Sequence, residues 1–379
     1  MLVYWILFIY TTFVSWLCMR INKERKYSKE LVQKYDVITR QVGIIGALFS
    51  LALLIFFAST RGYMADTSAY IANFKDTSSN LYDIPDIWSS GQKGPLYFTM
   101  TVIFKHFFGN SFTGWFTILA LFQGFAIAKF LSNYSKNFTF SCYLLIANGT
   151  FIWMMNGVRQ FTAVCILLLA SKFLFNKKLL PYLICVLIAF FFHDTAIICI
   201  PFFFIFQGKP FNKKVILAII MAVLAVIFVD EFTNLLDRAL ENTNHSEATS
   251  QFAYDDGVNI VTTILFAIPV VIAFWKRNII ESTYRPRHID VLINMSCCTM
   301  AISLIGNFTS GILIGRLPIY FYIGNYVLLP WLIENCFTGN DKTFMKTSCY
   351  IGYFCYFLYY TNGLDYQSII RAFNIYLHS

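Results

Sequence analysis

Long stretches of this chain are apolar without alternation. Continuous apolar runs lie near residues 1–19, 41–59, 112–131, 138–156, 159–175, 214–234, 259–275, 289–308, 316–335 and 344–361, separated by short polar segments. Each approaches the roughly 20 residues with which a helix crosses about 30 Å of hydrocarbon. The lack of a period of two excludes a transmembrane barrel. Two shorter runs, 180–192 and 195–206, flank His193 and Asp194 and predict a hairpin of half-length helices. A third, 95–108, is short and polar for a span and is expected to be a re-entrant or interfacial helix. The predicted architecture is all-α and polytopic, a single membrane domain over residues 1–379 with about twelve transmembrane helices, some of them short or re-entrant.

Composition narrows the class. With 58% hydrophobic and 13% charged residues, the chain has more apolar surface than a soluble core can hide. The net charge of +9 sits in short loops between apolar runs, so it reflects topology and contact with anionic membrane lipid rather than nucleic-acid binding. The ten cysteines carry no CxxC spacing and no histidine nearby, and read as packing residues with neither disulfide nor metal. Residues 1–19 lack a basic start and a small-residue cleavage site, so they read as a first span.

Charge then sets orientation. The segment 20–40 carries seven Lys and Arg and is expected to be cytoplasmic, which turns both termini to the outer face. Following the spans from there, 21 of the 29 basic residues fall on cytoplasmic ends. Treating 95–108 as a full span inverts everything after it and puts the basic ends outside. The outer face then holds two sizeable loops, 60–94 and 235–258, the second acidic and free of lysine.

Three of the outward cations end spans: Arg61, Arg159 and Arg316. One such arginine reads as a snorkelling side chain. Three at one level suit a phosphate or pyrophosphate at headgroup depth, because guanidinium binds phosphate bidentately and keeps its charge. Near a helix start Arg159 opposes the helix dipole, and an anion bound there gains from both. In 61-RGYMADTSAY-70, Asp66, Thr67 and Tyr70 follow Arg61 closely; Asp66 reads either as a helix cap or as a carboxylate that orients an arginine or accepts a proton from a sugar hydroxyl. Asn156, Arg159 and Gln160 have spacings of three and four, so they share one helical face if the helix begins before Asn156. His193 lies between aromatics at the predicted hairpin tip, as an interface residue or a base. Tyr320 follows Arg316 by one turn, within a chain that is 19% aromatic and for which interfacial belts are expected.

In this order, R-G-x-x-x-D-T-x-x-Y, N-x-x-R-Q, F-H-D-T-A and G-R-x-x-x-Y-F resemble the EpsG family of Wzy-type polymerases, which join exopolysaccharide, capsule or O-antigen repeat units. The resemblance covers roughly residues 40–330 in short, degenerate motifs. The segment 94-GPLYF-98 lacks the acidic residue that often precedes this proline or glycine in the family. The resemblance implies a bacterial cytoplasmic-membrane glycosyltransferase without cofactor or metal, working on the outer face. A growing glycan on undecaprenyl pyrophosphate is then the donor and a lipid-linked repeat unit the acceptor, with a chain-length regulator as a further partner. Arg159 and Arg316 would bind the pyrophosphate, Arg61 would orient Asp66 or a second phosphate, and His193 or Asp66 would deprotonate the acceptor. Thr67, Tyr70, Asn156, Gln160 and Tyr320 complete the expected binding set. Two rival classes are a transporter or flippase for a lipid-linked glycan, which predicts ionisable residues along a mid-span path, and a membrane O-acyltransferase built on His193. Ionisable residues here cluster at span ends, which favours interfacial chemistry over translocation.

Overall fold

The structure is a computed structural model that describes residues 2–23, 42–240, 257–311 and 313–370. Most of the basic segment 20–40 and of the acidic loop 235–258 lies outside the described residues. In chain order the elements are α1 (Leu2–Lys23), α2 (Ile44–Ser50), α3 (Ala52–Ser59), β1 (Arg61–Tyr63), α4 (Thr67–Asp76), α5 (Ile84–Ser89), α6 (Pro95–Phe108), α7 (Phe112–Tyr134) and α8 (Phe138–Ala147). There follow α9 (Val158–Phe175), α10 (Leu179–Phe192), α11 (Cys199–Phe206), α12 (Lys213–Ile227), α13 (Val229–Leu240), α14 (Ile260–Trp275), α15 (Arg277–Ser282), α16 (Arg287–Phe308), α17 (Ile319–Tyr322), α18 (Asn325–Cys336), α19 (Gly339–Thr361) and β2 (Gln367–Ser368). Among the described residues, α1, α7, α9 and α16 are long and apolar enough to cross a membrane; α8, α10, α14 and the segment Asp194–Phe206 are shorter apolar helices. This is the build of a multi-pass membrane protein.

Four expected spans are broken. In 41–59 the helix is interrupted at Leu51, next to Ser50, whose Oγ donates to the Gly46 carbonyl at 2.8 Å. Such back-bonding bends helices. In 138–156 the helix ends at Ala147, and Gly149 takes the left-handed conformation with φ +69° before a short 3-10 turn, Thr150–Met154. In 214–234 the break falls at Phe228, where an apolar helix gives way to the amphipathic α13. In 316–335 turns occupy the first residues, Pro318 starts the four-residue α17, and a turn at Ile323 and Gly324 separates it from α18.

The chain forms two compact units, residues 1–172, 180–197 and 339–379 in the first and 173–179 with 198–338 in the second. In the first, α1 packs along α8, and α3 along α7. Gly124 permits the second contact: a Cβ there would stand 2.5 Å from the Ile55 side chain. Small residues at such crossings let helix backbones approach closely, and here the approach carries the end of α3 towards the start of α7. The buried amide of Gln123 donates to Thr162 Oγ1 at 3.0 Å and ties α7 to the first turn of α9.

The helix α6 has 14 residues, short for a span. Just before its start the Lys93 carbonyl meets Arg159 in the first turn of α9, and near its other end the buried Lys105 donates to the Phe74 carbonyl at 3.0 Å, the Lys75 carbonyl at 3.3 Å and the Thr77 carbonyl. Lys105 so satisfies the open carbonyls that end α4. Both ends of α6 are tied to the 60–94 segment, with Trp88 Nε1 bonded to Thr99 Oγ1 at 3.0 Å between them.

In the second unit α16 is the axis, contacting α11, α12, α14, α17 and α18. Asn294, fully buried on it, donates to the Phe206 and Lys209 carbonyls and accepts from the Phe211 amide, which holds the end of α11. At the other end of α16, Thr263 Oγ1 bonds Ser303 and Asn307, and Asn307 Nδ2 bonds the Val258 carbonyl.

A 14-residue α6 should not cross the membrane, so cysteines introduced as Ser90→Cys and Asn110→Cys should both react with a membrane-impermeant maleimide from one side, and Lys178→Cys only from the other. Labelling of Ser90→Cys and Asn110→Cys from opposite sides would make α6 a span.

Candidate active site

The first unit gathers several helix ends in one place. Arg61 leaves the end of α3, Arg159 sits in the first turn of α9, and Phe192 and His193 end α10. Their convergence is fixed by the segment before α6. Gly94 has φ +73°, and a Cβ on it would stand 2.6 Å from the Phe192 carbonyl oxygen and 3.5 Å from Arg159 Cδ. Only glycine meets both the backbone conformation and the close approach. Arg159 Nη1 donates to the Lys93 carbonyl at 2.8 Å, and its guanidinium lies over the Phe98 ring at 5.7 Å. Trp88 packs edge-on against Phe191 at 4.9 Å, holding α5 to the same end of α10.

Arg61 is the more unusual of the pair, being 1% exposed. Its guanidinium lies 3.9 Å from the Phe116 ring centroid, and Nη1 donates to the Ala58 carbonyl. Nε and Nη2 are buried without a hydrogen-bond partner. Burial pushes the Arg61 pKa down to about 10, opposed by the nearby Tyr97, Tyr70 and Tyr366, so the group remains a cation at neutral pH. Tyr97 links the two arginines: burial pushes its phenol up to about 12, while a hydrogen bond from Trp115 and the charges of Arg159 and Arg61 act against that. The Trp115 Nε1 to Tyr97 Oη distance is 3.3 Å. Tyr70 is also raised by burial and is opposed by the charge of Arg159 and hydrogen bonds to it. Among the described residues no carboxylate forms an ion pair with Arg61 or Arg159. The arrangement is two guanidiniums set among neutral phenols and aromatic rings, which suits a multiply charged oxyanion.

The expected residues fall into three groups. Arg61, Tyr70 and Arg159 are brought together. Thr67 is buried near them and donates to the Met64 carbonyl at 2.6 Å, a turn-forming bond. His193 lies beside the Gly94 contact with Nδ1 2.8 Å from Thr195 Oγ1 and 3.7 Å from the Asp194 carboxylate. Asp66 is exposed at the start of α4 and its side chain makes no cap hydrogen bond. Arg61 does not hold it either, since the guanidinium's one hydrogen bond is to Ala58, so the expected orientation of Asp66 by Arg61 is not realised. Asn156, Arg159 and Gln160 do not share a helical face: Gly157, at φ +67°, separates Asn156 from α9, which begins at Val158. Asn156 is half-buried with an unpartnered Oδ1, and Gln160 is buried.

Arg316 and Tyr320 belong to the second unit. The turn that carries Arg316 is packed through glycine: a Cβ on Gly315 would stand 2.3 Å from the Val258 side chain and 2.7 Å from the Gly311 carbonyl. Tyr320 is buried one turn later in α17, beside Phe321. Among the described residues no group of three or more His, Cys, Asp or Glu is placed to hold a metal ion.

Sequence reasoning missed Tyr97, Trp115, Phe116 and the pairing of β1 with β2. Tyr97 stands in 94-GPLYF-98, and the left-handed glycine before a proline at a helix start was its available signal. Residues 44–371 match the family described as the EpsG family. No curated protein and no solved structure matches the chain.

Gly94→Ala should destabilise the protein by about 1–3 kcal/mol, because it combines left-handed strain with a backbone clash. Gly91→Ala, also at positive φ (+70°) but with nothing within 4 Å, should cost less. Melting of the purified protein in detergent reads the difference; equal midpoints would contradict the Gly94–Phe192 contact.

Proposed function

Because the chain belongs to the EpsG family, whose members are membrane proteins associated with exopolysaccharide biosynthesis, we propose that it polymerises lipid-pyrophosphate-linked oligosaccharide repeat units. The reaction is glycosyl transfer on the outer face of the bacterial cytoplasmic membrane. A terminal hydroxyl of the acceptor repeat unit attacks the anomeric carbon of the donor glycan. The new glycosidic bond forms as the anomeric C–O bond to undecaprenyl pyrophosphate breaks, and the acceptor proton passes to a base.

The observation that carries this reading is the Arg61–Arg159 pair, set around Tyr97 with no carboxylate ion pair among the described residues. Charge develops on the leaving pyrophosphate as the bond breaks. Fixed cations at that point stabilise the transition state more than the ground state, at a scale of roughly 3–4 kcal/mol for one well-placed donor. Arg159, half-exposed, is the direct ligand of the pyrophosphate; Arg61 supplies a second charge from beneath, and Tyr70 orients Arg159. Thr67, Asn156 and Gln160 complete the binding set of the first unit, and in the second unit Arg316 and Tyr320 form a separate contact for a lipid-linked substrate. His193, with its ring set by Thr195, is the preferred base, and Asp66 the alternative. The outward orientation of this end, the twelve-span count and a partner that sets chain length are part of the same proposal. What supports the orientation is that Arg61, Arg159 and His193 lie at helix ends of the first unit, with Arg159 in the first turn of α9 and Lys172 in its last.

Arg159→Lys keeps the charge and loses the fork geometry, so it should express normally and abolish chain growth. In cells carrying only that variant, a gel of the surface glycan should show single repeat units without a ladder. A full-length ladder would remove Arg159 from the mechanism.

A further inference from the structure

The strand that carries Arg61 is held by residues more than 300 positions away. Beyond α19 the chain turns at Gly363, φ +85°, and residues 366–369 return to the end of α3. Tyr366 Oη donates to the Phe57 carbonyl at 2.8 Å, and its ring packs edge-on against Phe57 at 5.6 Å. Ser368 Oγ and the Ile369 amide both donate to the Thr60 carbonyl, at 3.1 and 2.9 Å. In the antiparallel pairing Arg61 stands opposite Ser368, and Gly62 packs against Ile369 with 3.2 Å between a built Cβ and the Ile369 side chain. These bonds satisfy carbonyls that the end of α3 leaves open, and they fix the backbone on both sides of Arg61.

Nothing else among the guanidinium's partners fixes its direction so closely. One hydrogen bond to Ala58 and a cation–π contact leave two nitrogens, Nε and Nη2, without a partner, so the aim of Arg61 depends on the backbone that carries it. We propose that the C-terminal segment is part of the anion site, with Tyr366 and Ser368 acting as positioning residues for Arg61. The proposal rests on the reading of Arg61 and Arg159 as the pyrophosphate-binding pair. It assigns to two residues distant in sequence a role in anion affinity rather than in bulk stability. Both substitutions that test it are small: Tyr366→Phe keeps the ring against Phe57, and Ser368→Ala leaves the backbone ladder.

The test is calorimetric titration of the full chain in lipid nanodiscs with inorganic pyrophosphate. The double variant Tyr366→Phe/Ser368→Ala should weaken binding about tenfold, the scale of one or two lost hydrogen bonds. Arg61→Lys should weaken it as well, and adding the tail substitutions to Arg61→Lys should cause little further loss, because all three act through one guanidinium. Hydrogen exchange at Arg61–Tyr63 should quicken in the tail variant while that of α7 stays unchanged. Losses that add, or unchanged affinity in the tail variant beside weakened binding in Arg61→Lys, would overturn the positioning role and leave the anion reading standing. Unchanged pyrophosphate affinity in both Arg61→Lys and Arg159→Lys would instead overturn the anion reading and this inference with it.

Discussion

A guanidinium buried with no carboxylate partner among the described residues is the constraint on which the first unit turns. Taking such a charge out of water costs several kcal/mol even after relaxation. The Ala58 carbonyl bond and the Phe116 contact at 3.9 Å return roughly 2–3 kcal/mol each at most. Surrounding phenols add only dipoles, because Tyr97 is pushed up to about 12 and stays neutral. A site with this balance is more favourable with an anion beside it than without one. That preference joins the architecture to the chemistry: Gly124 brings α3 onto α7, Gly94 brings α6 onto α10, and the β1–β2 pairing fixes the strand between them.

The position of these residues within the fold favours the proposed interfacial chemistry over translocation. A translocation path needs ionisable groups near the middle of the spans, whereas Arg61, Arg159 and His193 occupy helix ends. In the proposed reaction the arginines at these helix ends would meet a lipid-linked pyrophosphate at headgroup depth. The phenols and aromatic rings around them lower the local dielectric, which would strengthen each cation's pull on that proposed leaving group.

Much of the fold was legible because continuous apolar runs are a strong signal. The helices α1, α7, α9, α14 and α16 lie within a few residues of the expected spans, and the expected short helix over 95–108 is α6. The interruptions were harder to read. Ser50 and Gly149 are single residues inside apolar runs, and what makes them breaks is a side-chain bond to a carbonyl in one case and a left-handed backbone in the other. Arg61, Arg159 and His193 were legible as polar residues at helix ends, and the structure brings Arg61, Tyr70 and Arg159 together. Tyr97 and Trp115 were not legible, since an aromatic in a chain that is 19% aromatic carries no mark of its neighbours. The two-residue β2 was invisible for a related reason: its pairing is decided by the close of a long-range contact, and so short a strand has no periodicity to detect.

The most direct measurement is chain extension by the purified protein in lipid vesicles, supplied with a lipid-pyrophosphate-linked repeat unit and nothing else. The account predicts a ladder of longer glycans on the lipid, with one lipid pyrophosphate released for each bond formed. Movement of the substrate across the bilayer without elongation, or a fixed small gain in glycan mass, would contradict it.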